Sequence, residues 1–188
     1  MARPKSDDKR NAIRAAAVHV LASQGLGATT AAIAQEAGVS NGSLFTYFDT
    51  KADLWNQLYV QLKAEMVAAA GDGLPAEEDV RAQLRHMWSR WLRWAVSAPE
   101  KRRALAQLDV ADAITPQSHR AASAAFADVR ALLERSREEG PLRDAPLEYG
   151  VGLMSALAET TIDFMIREPA NAEGYRAEGF EALWRMIA

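Results

Sequence analysis

Short, uncharged polar side chains are concentrated in residues 40–47, which read SNGSLFTY. The hydroxyl and amide groups of this stretch donate or accept hydrogen bonds while leaving room for a partner, and they belong to Ser40, Asn41, Ser43 and Thr46. Gly42 has no side chain and lets the backbone approach a phosphate. Residues of these types recognise polar or phosphate-bearing surfaces through hydrogen bonds. We therefore interpret residues 40–47 as a recognition surface.

Side chains that could do catalysis are scattered. The three histidines, His19, His86 and His119, lie far apart, and neither an HExxH pair nor a glycine-rich nucleotide loop occurs. Asp109, Asp112 and His119 could meet as a metal or acid–base site, which keeps a helical enzyme open as an alternative. The simpler interpretation is that these three residues are polar groups at helix ends and on the surface. The sequence therefore predicts no catalytic activity, no metal site and no cofactor.

Composition excludes several other classes of protein. Of the 188 residues, 49% are apolar and 25% are charged, which is the balance of a soluble globular protein. The chain contains no cysteine, which excludes disulfides and thiolate metal sites. Residues 1–10 lack the apolar segment of a signal peptide, and no run reaches the ~18 apolar residues of a membrane span. We expect a cytoplasmic protein that does not associate with membranes.

The net charge of −3 is distributed unevenly along the chain. Residues 1–51 hold six Lys or Arg against four Asp or Glu, whereas residues 52–188 hold sixteen against twenty-one. The asymmetry favours a small basic module on an acidic body, although random scatter also produces a difference of this size.

The elements that would position residues 40–47 are helices. Apolar residues recur at three- and four-residue steps along almost the whole chain, and glycine and proline define where the pattern stops. The predicted helices span residues 7–23 and 30–38, a short segment after residue 40, and then residues 50–70, 77–97, 99–113, 115–139, 146–167 and 173–187. The predicted fold class is all-α.

Ala34, Gly38 and Leu44 have the spacing of a helix-turn-helix. A small residue is needed where two helices touch, a glycine takes the positive φ of a tight turn, and an apolar residue anchors the second helix. In this motif the second helix enters the major groove of DNA with its N-terminal residues toward the bases and phosphates. An ordinary helical hairpin can contain the same small residues, so both interpretations remain open on this spacing alone.

A longer series of residues extends the pattern: Thr29-Thr30, Ile33-Ala34, Ala37-Gly38-Val39-Ser40, Gly42, Leu44-Phe45, Tyr47-Phe48 and Lys51. In this order and spacing the series closely resembles the DNA-binding domain of the TetR family of bacterial transcriptional regulators. The similarity covers roughly residues 7–60 and is specific, because several fixed spacings are met together. Phe45 stands where the family often has tyrosine, and Tyr47 stands where it often has histidine.

The resemblance implies a double-stranded DNA operator as partner and indicates which residues touch it. These residues are Thr30, Ser40, Asn41, Ser43, Phe45, Thr46, Tyr47 and Lys51. Gly42 joins them because its backbone can approach a phosphate closely. Lys51 resembles the phosphate-binding lysine of the family, and Arg3 and Lys5 would form an arm on the neighbouring DNA. Leu44 and Phe48 are expected in the core of the small domain.

The remaining helices are expected to bind a ligand and a second copy of the chain. The predicted organisation is an N-terminal three-helix DNA-binding domain at residues 1–50 and a larger helical ligand-binding and dimerisation domain at residues 51–188. Small residues and an apolar stripe in residues 118–139 and 146–166 predict a four-helix homodimer interface. The facing rows would be Ala121, Ala125, Val129 and Leu132 against Val151, Met154, Ala158 and Ile162. An internal core within one chain is the alternative.

Tryptophans at positions 88, 91 and 94 supply more aromatic surface than packing usually demands. They predict a mostly apolar pocket for a small hydrophobic molecule, which would be neutral or weakly anionic because no acidic cluster favours a cation. The predicted pocket residues are Leu62, Met66, Trp88, Trp91, Leu108 and Phe126. The alternative is that the tryptophans are simply core residues.

These patterns together predict a homodimeric, ligand-responsive transcriptional regulator. By resemblance it would be a repressor that a small hydrophobic molecule releases from a palindromic operator. A helical enzyme and a non-inducible structural dimer with a decayed DNA module are the alternatives.

Overall fold

The computed structural model describes residues 4–188, with side chains from Asp7 onward. Within this range all regular structure is helical, which confirms the predicted all-α class. The α-helices are α1 (Pro4–Gln24), α2 (Thr30–Glu36), α3 (Asn41–Tyr47), α4 (Lys51–Gly71), α5 (Val80–Ser97), α6 (Pro99–Asp109), α7 (Pro116–Ala125), α8 (Ala127–Ser136), α9 (Leu147–Arg167) and α10 (Ala172–Ile187). Single 3₁₀ turns at Gly25–Gly27 and Pro169–Asn171 follow α1 and α9. The predicted arm residue Arg3 lies outside the described residues, as does the side chain of Lys5.

Side-chain caps begin the helices around the predicted recognition surface. Thr29 Oγ1 accepts a hydrogen bond from the Ala32 N–H at 3.1 Å before α2, and Thr50 Oγ1 accepts from the Asp53 N–H at 2.9 Å before α4. The Asp53 carboxylate accepts in return from the Asp49 N–H at 3.2 Å. These reciprocal bonds resemble a capping box at the start of α4, with the return bond one residue earlier than in the usual motif.

The single helix predicted over residues 115–139 is wrong, because the chain forms α7 and α8 instead. Phe126 interrupts the helix with φ −90° and ψ 7°, in the bridge region of backbone space, and its carbonyl then accepts from the Arg130 N–H at 2.9 Å to open α8. Neither glycine nor proline marks this break, and the alanine-rich sequence around it has high helix propensity.

The first of two compact units, unit 1, comprises the described residues up to 64 together with residues 98–124. In it α1 packs against α2 and α6, and α2 packs against α3. Its core consists of the large apolar side chains that face inward from these helices, including Ile13, Leu21, Ile33, Leu44, Phe48, Leu54, Leu58 and Leu108.

The second unit, unit 2, comprises residues 65–97 and 125–188. Its core is formed by α5, α8, α9 and α10 around Trp88, whose Nε1–H donates to the Arg176 carbonyl at 2.9 Å. Gly179 allows α9 and α10 to approach closely, since a Cβ atom there would lie 2.7 Å from Thr161 Oγ1 and 3.0 Å from the Trp88 ring. The hydrophobic surface buried in this cluster stabilises the unit.

The two compact units divide the chain differently from the predicted functional domains at residues 1–50 and 51–188. Residues 98–124 cluster with the N-terminal helices because α6 packs along α1. The functional boundary at residue 50 stays a prediction.

Candidate nucleic-acid interface

The turn between α2 and α3 is a helix C-cap built on Gly38. Gly38 has φ +65°, its N–H donates to the Gln35 carbonyl at 3.1 Å, and the Val39 N–H donates to the Ala34 carbonyl at 2.9 Å. These two bonds define a Schellman motif. A Cβ atom at Gly38 would meet nothing within 4 Å, so the left-handed backbone alone favours glycine. The turn predicted from Ala34 and Gly38 is confirmed.

Ser40 fixes the start of α3. Its Oγ accepts from the Ser43 N–H at 3.1 Å, and its hydroxyl donates to Ser43 Oγ at 2.9 Å. Leu44 and Phe48 are buried on the inner side, as expected for core residues. The short helix α3 is therefore held at one end by its cap and along one face by the core.

The outer face of α3 carries the uncharged polar groups predicted to recognise a partner. Asn41, Gly42, Phe45 and Thr46 are exposed, and Ser43 and Tyr47 are half-buried. The Phe45 side chain remains 42% accessible to solvent although it is a large apolar group. The fold thus presents the predicted α3 residues on one short helix, while Thr30 and Lys51 begin α2 and α4.

Lys51 is oriented by contacts within unit 1. Its Nζ donates to the Leu26 carbonyl at 2.9 Å and lies 5.7 Å from the centre of the Trp55 ring, which is a cation–π distance. An ammonium group has three donors, so this hydrogen bond leaves two for a phosphate. Lys51 is therefore a fixed positive charge at the start of α4.

Sequence reasoning missed a pair of arginines on α1. The guanidinium carbons of Arg10 and Arg14 lie 5.3 Å and 5.9 Å from the centre of the Phe48 ring. Both groups donate to Gln57 Oε1, at 2.8 Å and 3.1 Å. Burial and the neighbouring Arg10 cation lower the pKa of the Arg14 guanidinium below its ordinary value. The four-residue spacing of the two arginines on one helical face is the signal that could have identified them.

The side chain of Asn56 joins α4 to the segment between α6 and α7. Sequence reasoning did not predict this contact. Its Nδ2 donates to the Ala113 carbonyl at 2.8 Å, and its Oδ1 accepts from the Thr115 N–H at 2.8 Å. Beside this contact, unit 1 contains a cleft of about 700 Å³. Arg14, Gln57 and Ser118 are among the residues that line it.

The residues considered for an acid–base site meet in part, around Tyr59. The Tyr59 hydroxyl lies 3.2 Å from His119 Nδ1, and the Asp109 carboxylate pairs with Lys63 Nζ at 2.8 Å. Burial, followed by the negative charge and hydrogen bond of Asp109, raises the pKa of Tyr59 above its ordinary value. The phenol therefore stays protonated at neutral pH. Within the described residues no group of three or more metal-ligating side chains could hold an ion.

The predicted ligand-pocket residues fall into both compact units. Leu62 and Leu108 are buried in unit 1, and Met66 and Trp88 are buried in unit 2. Trp91 is half-buried and meets Trp88 edge to face, with ring centres 6.1 Å apart. Phe126 is also half-buried. Trp88 thus has a packing role in the core of unit 2, and the ligand pocket stays a prediction.

The predicted dimer residues include several that one chain buries by itself. Leu132, Met154, Ala158 and Ile162 belong to the core of unit 2, and Val129 and Val151 pack against that core. Ala121 and Ala125 are exposed. On α9 the large apolar side chains that remain exposed are Tyr149 (56%), Phe164 (37%) and Ile166 (42%).

Comparison with known proteins identifies the helix-turn-helix segment. Residues 13–58 match the family model of bacterial regulatory proteins of the tetR family. None of the helices within residues 4–188 is both long enough and apolar enough to cross a membrane.

Solved structures share the fold of nearly the whole chain. A TetR family transcription regulator from Shewanella sp. PV-4, whose assignment is itself provisional, is 24% identical with a TM-score of 0.84, over 94% of this chain and 96% of that one. A TetR family regulator from Marinobacter aquaeolei VT8 is 22% identical with a TM-score of 0.80, over 96% and 95%. The TetR-like regulator LfrR from Mycobacterium smegmatis, solved in complex with proflavine, is 19% identical with a TM-score of 0.70, over 96% and 98%.

The capped α3, the Gly38 turn and the match over residues 13–58 agree with one another, and the similarity of fold extends over the rest of the chain. Residues 13–58 therefore match the tetR family of bacterial regulatory proteins, and the chain as a whole has the fold of the solved TetR family regulators.

Proposed function

We propose that this chain binds duplex DNA through α3 as a transcriptional repressor. The observation that carries the proposal is the exposed, uncharged polar face of α3, held in place by the Ser40 cap and the buried Leu44. A helix presented in this way fits the major groove, where hydroxyl and amide groups pair with base edges. Ser43, Thr46 and Asn41 supply those groups.

The backbone of the DNA would be held by residues at the edges of this face. Lys51 offers a positive charge at the start of α4, and Thr30 offers a hydroxyl at the start of α2. Phosphate contacts of this kind position a protein on DNA and carry most of the salt dependence of its binding. The exposed Phe45 ring fits an apolar contact with a thymine methyl group.

A homodimer would place two copies of α3 on a palindromic operator, with half-sites about 34 to 36 Å apart. We propose that the predicted segments, residues 118–139 and 146–166, make this dimer through their outward faces, because Leu132, Met154, Ala158 and Ile162 already support these segments from the core. The exposed Tyr149 and Phe164 of α9 supply apolar surface for a partner subunit.

The proposed signal is a small hydrophobic molecule, neutral or weakly anionic, bound near Trp88 and Trp91. LfrR, which shares the fold, was solved in complex with proflavine, and this supports a ligand as the signal. A ligand releases DNA only if it binds more tightly to the conformation with low operator affinity. The two methionines nearest these rings in sequence, Met66 and Met87, would let the pocket adapt to its ligand.

The experiment that tests DNA recognition is selection of binding sites from a pool of random duplexes by the purified full chain. We expect enrichment of an inverted repeat whose half-sites lie about one helical turn apart. A parallel selection with Asn41→Ala and Ser43→Ala combined should enrich this repeat far less. If the wild type enriches no sequence, or both proteins enrich the same repeat equally, α3 does not read bases.

A further inference from the structure

The cleft of about 700 Å³ in unit 1 has no part in the function proposed above. Its wall is formed by one side of α4, by Arg14 of α1 and by residues 113–121, and it includes none of the residues predicted to contact DNA or to form the apolar ligand pocket. Its volume lies within the range of about 300 to 1,000 Å³ that small-molecule sites occupy.

Arg14 places in the cleft wall a positive charge that has no direct ion-pair partner among the described residues. Among the described residues, no Asp or Glu lies within ion-pair distance of Arg14 or Arg10, and both guanidinium groups share the neutral Gln57 Oε1. Arg14 Nε is buried and has no hydrogen-bond partner. The lowered pKa of Arg14 reflects the same situation, since burial and Arg10 both oppose its charge. A partly buried cation without an anion favours binding of one.

The acidic group in this wall does not fill that role. The Asp53 carboxylate accepts from Gln57 Nε2 at 2.9 Å and from the Asp49 N–H at 3.2 Å. These bonds commit both carboxylate oxygens to groups within unit 1. Asp53 keeps its negative charge in these bonds but forms no ion pair with Arg14, so the Arg14 guanidinium is open to direct pairing with an anion that enters the cleft.

The rest of the cleft sets the size and character of that molecule. Asn56 donates to the Ala52 and Ala113 carbonyls and accepts from the Thr115 N–H, so its side chain shapes the wall rather than binding a ligand. Val60 and Ala121 supply small apolar surfaces beside it. This lining suits a compact hydrocarbon body attached to an anionic group.

We infer that the cleft is a binding site for a small organic carboxylate, whose carboxyl group pairs with the Arg14 guanidinium and whose apolar body lies against Val60 and Ala121. Guanidinium and carboxylate groups match in charge and in planar geometry, which makes this pairing strong and specific. The site differs in place and in chemistry from the predicted pocket around Trp88. It does not depend on DNA binding, so the chain alone suffices for the test.

The test measures binding of benzoate and hexanoate to the full chain by saturation-transfer NMR and calorimetry, with benzamide and hexanamide as neutral analogues. The carboxylates should bind at least about ten-fold more tightly than the amides, because a charge-assisted pair is lost with the charge. Arg14→Gln should weaken the carboxylates to a similar extent. Ala113→Phe, which fills the cleft and keeps its charge, should abolish binding.

Arg103→Gln is the matched control, since Arg103 is an exposed arginine of α6 in the same unit and does not line the cleft. It should bind like the wild type. If circular dichroism shows that Arg14→Gln does not fold, Ala113→Phe and the amide comparison decide the outcome. The inference is overturned if neither carboxylate binds at about 10 mM, a generous limit for ligands of this size. It is equally overturned if carboxylates and amides bind alike, or if Ala113→Phe binds as the wild type does.

Discussion

Single residues at the candidate interface are oriented before a partner arrives. The hydroxyl group of Ser40 is committed to Ser43, and Lys51 is held between the Leu26 carbonyl and the Trp55 ring. Groups fixed in this way lose little conformational entropy on binding, so more of their interaction energy contributes to affinity. Substitution of Lys51 should therefore change DNA affinity more than it changes the stability of the fold, whereas substitution of Ser40 would also remove the cap of α3.

Lys51→Ala should weaken operator binding and flatten its salt dependence. Each phosphate contact that is lost lowers the slope of log affinity against log salt by about 1. Fluorescence anisotropy with a labelled operator, repeated over a series of salt concentrations, measures both quantities. Arg185→Ala removes an exposed arginine of α10 and serves as control. An unchanged affinity and slope in Lys51→Ala would show that this lysine does not contact a phosphate.

Gly42→Ala should separate DNA binding from folding. A Cβ atom at Gly42 would meet only Ser40 Oγ, at 4.0 Å, and alanine favours a helix by up to about 1 kcal/mol over glycine. The variant should be at least as stable as the wild type but should bind the operator less tightly, because the methyl group blocks close approach of the backbone. Gly174→Ala in α10, where a Cβ atom is equally free, is the control. Undiminished affinity in Gly42→Ala would rule out that approach.

At the scale of elements, the Schellman motif at Gly38 determines how α3 leaves α2. Its two hydrogen bonds need a left-handed residue, and the buried Ala34 lies one turn before it. The short helices gain little stability from their own length. Their caps and buried residues therefore decide whether the recognition surface forms.

Gly38→Ala should destabilise the helix-turn-helix by about 1 to 2 kcal/mol, the cost of a left-handed conformation for a residue with a side chain. For a chain of this length that corresponds to a fall in Tm of about 2 to 8 °C. Thermal unfolding followed by circular dichroism gives the shift, and operator affinity should fall with it. Gly71→Ala, at a position with ordinary φ and open space, should leave Tm nearly unchanged. Equal Tm values for the two variants would contradict the role of the left-handed turn.

At the scale of the whole molecule, the fold class and most helices could be predicted because apolar spacing, glycines and prolines are local signals. The break at Phe126 could not, since no local signal marks it. The contact of Asn56 with residues 113 and 115 joins positions 57 and 59 residues apart, and no local pattern reveals such a pair. An apolar stripe likewise does not distinguish a subunit core from an interface, as Met154 and Ile162 illustrate.

The proposed dimer predicts the effect of a charge on the outward face of α9. Ala156 is exposed on this helix, so Ala156→Arg leaves the core of unit 2 intact but places an arginine in the proposed interface. Sedimentation at micromolar concentration should show a dimer for the wild type and a monomer for this variant. Ala106→Arg, at an exposed position of α6, should remain dimeric. A wild-type monomer, or a variant that dimerises as well as the wild type, would contradict this interface.

Sequence-specific recognition of DNA by α3 is tested most directly by a ratio of affinities. The affinity of the full chain for its selected operator is divided by its affinity for a scrambled duplex of equal length, at one fixed salt concentration. The wild type should show a ratio of at least about 10³. Ser43→Ala combined with Thr46→Ala should lower it about ten-fold or more while leaving affinity for the scrambled duplex unchanged. Equal affinity of the wild type for both duplexes, or an unchanged ratio in the double variant, would contradict recognition by α3.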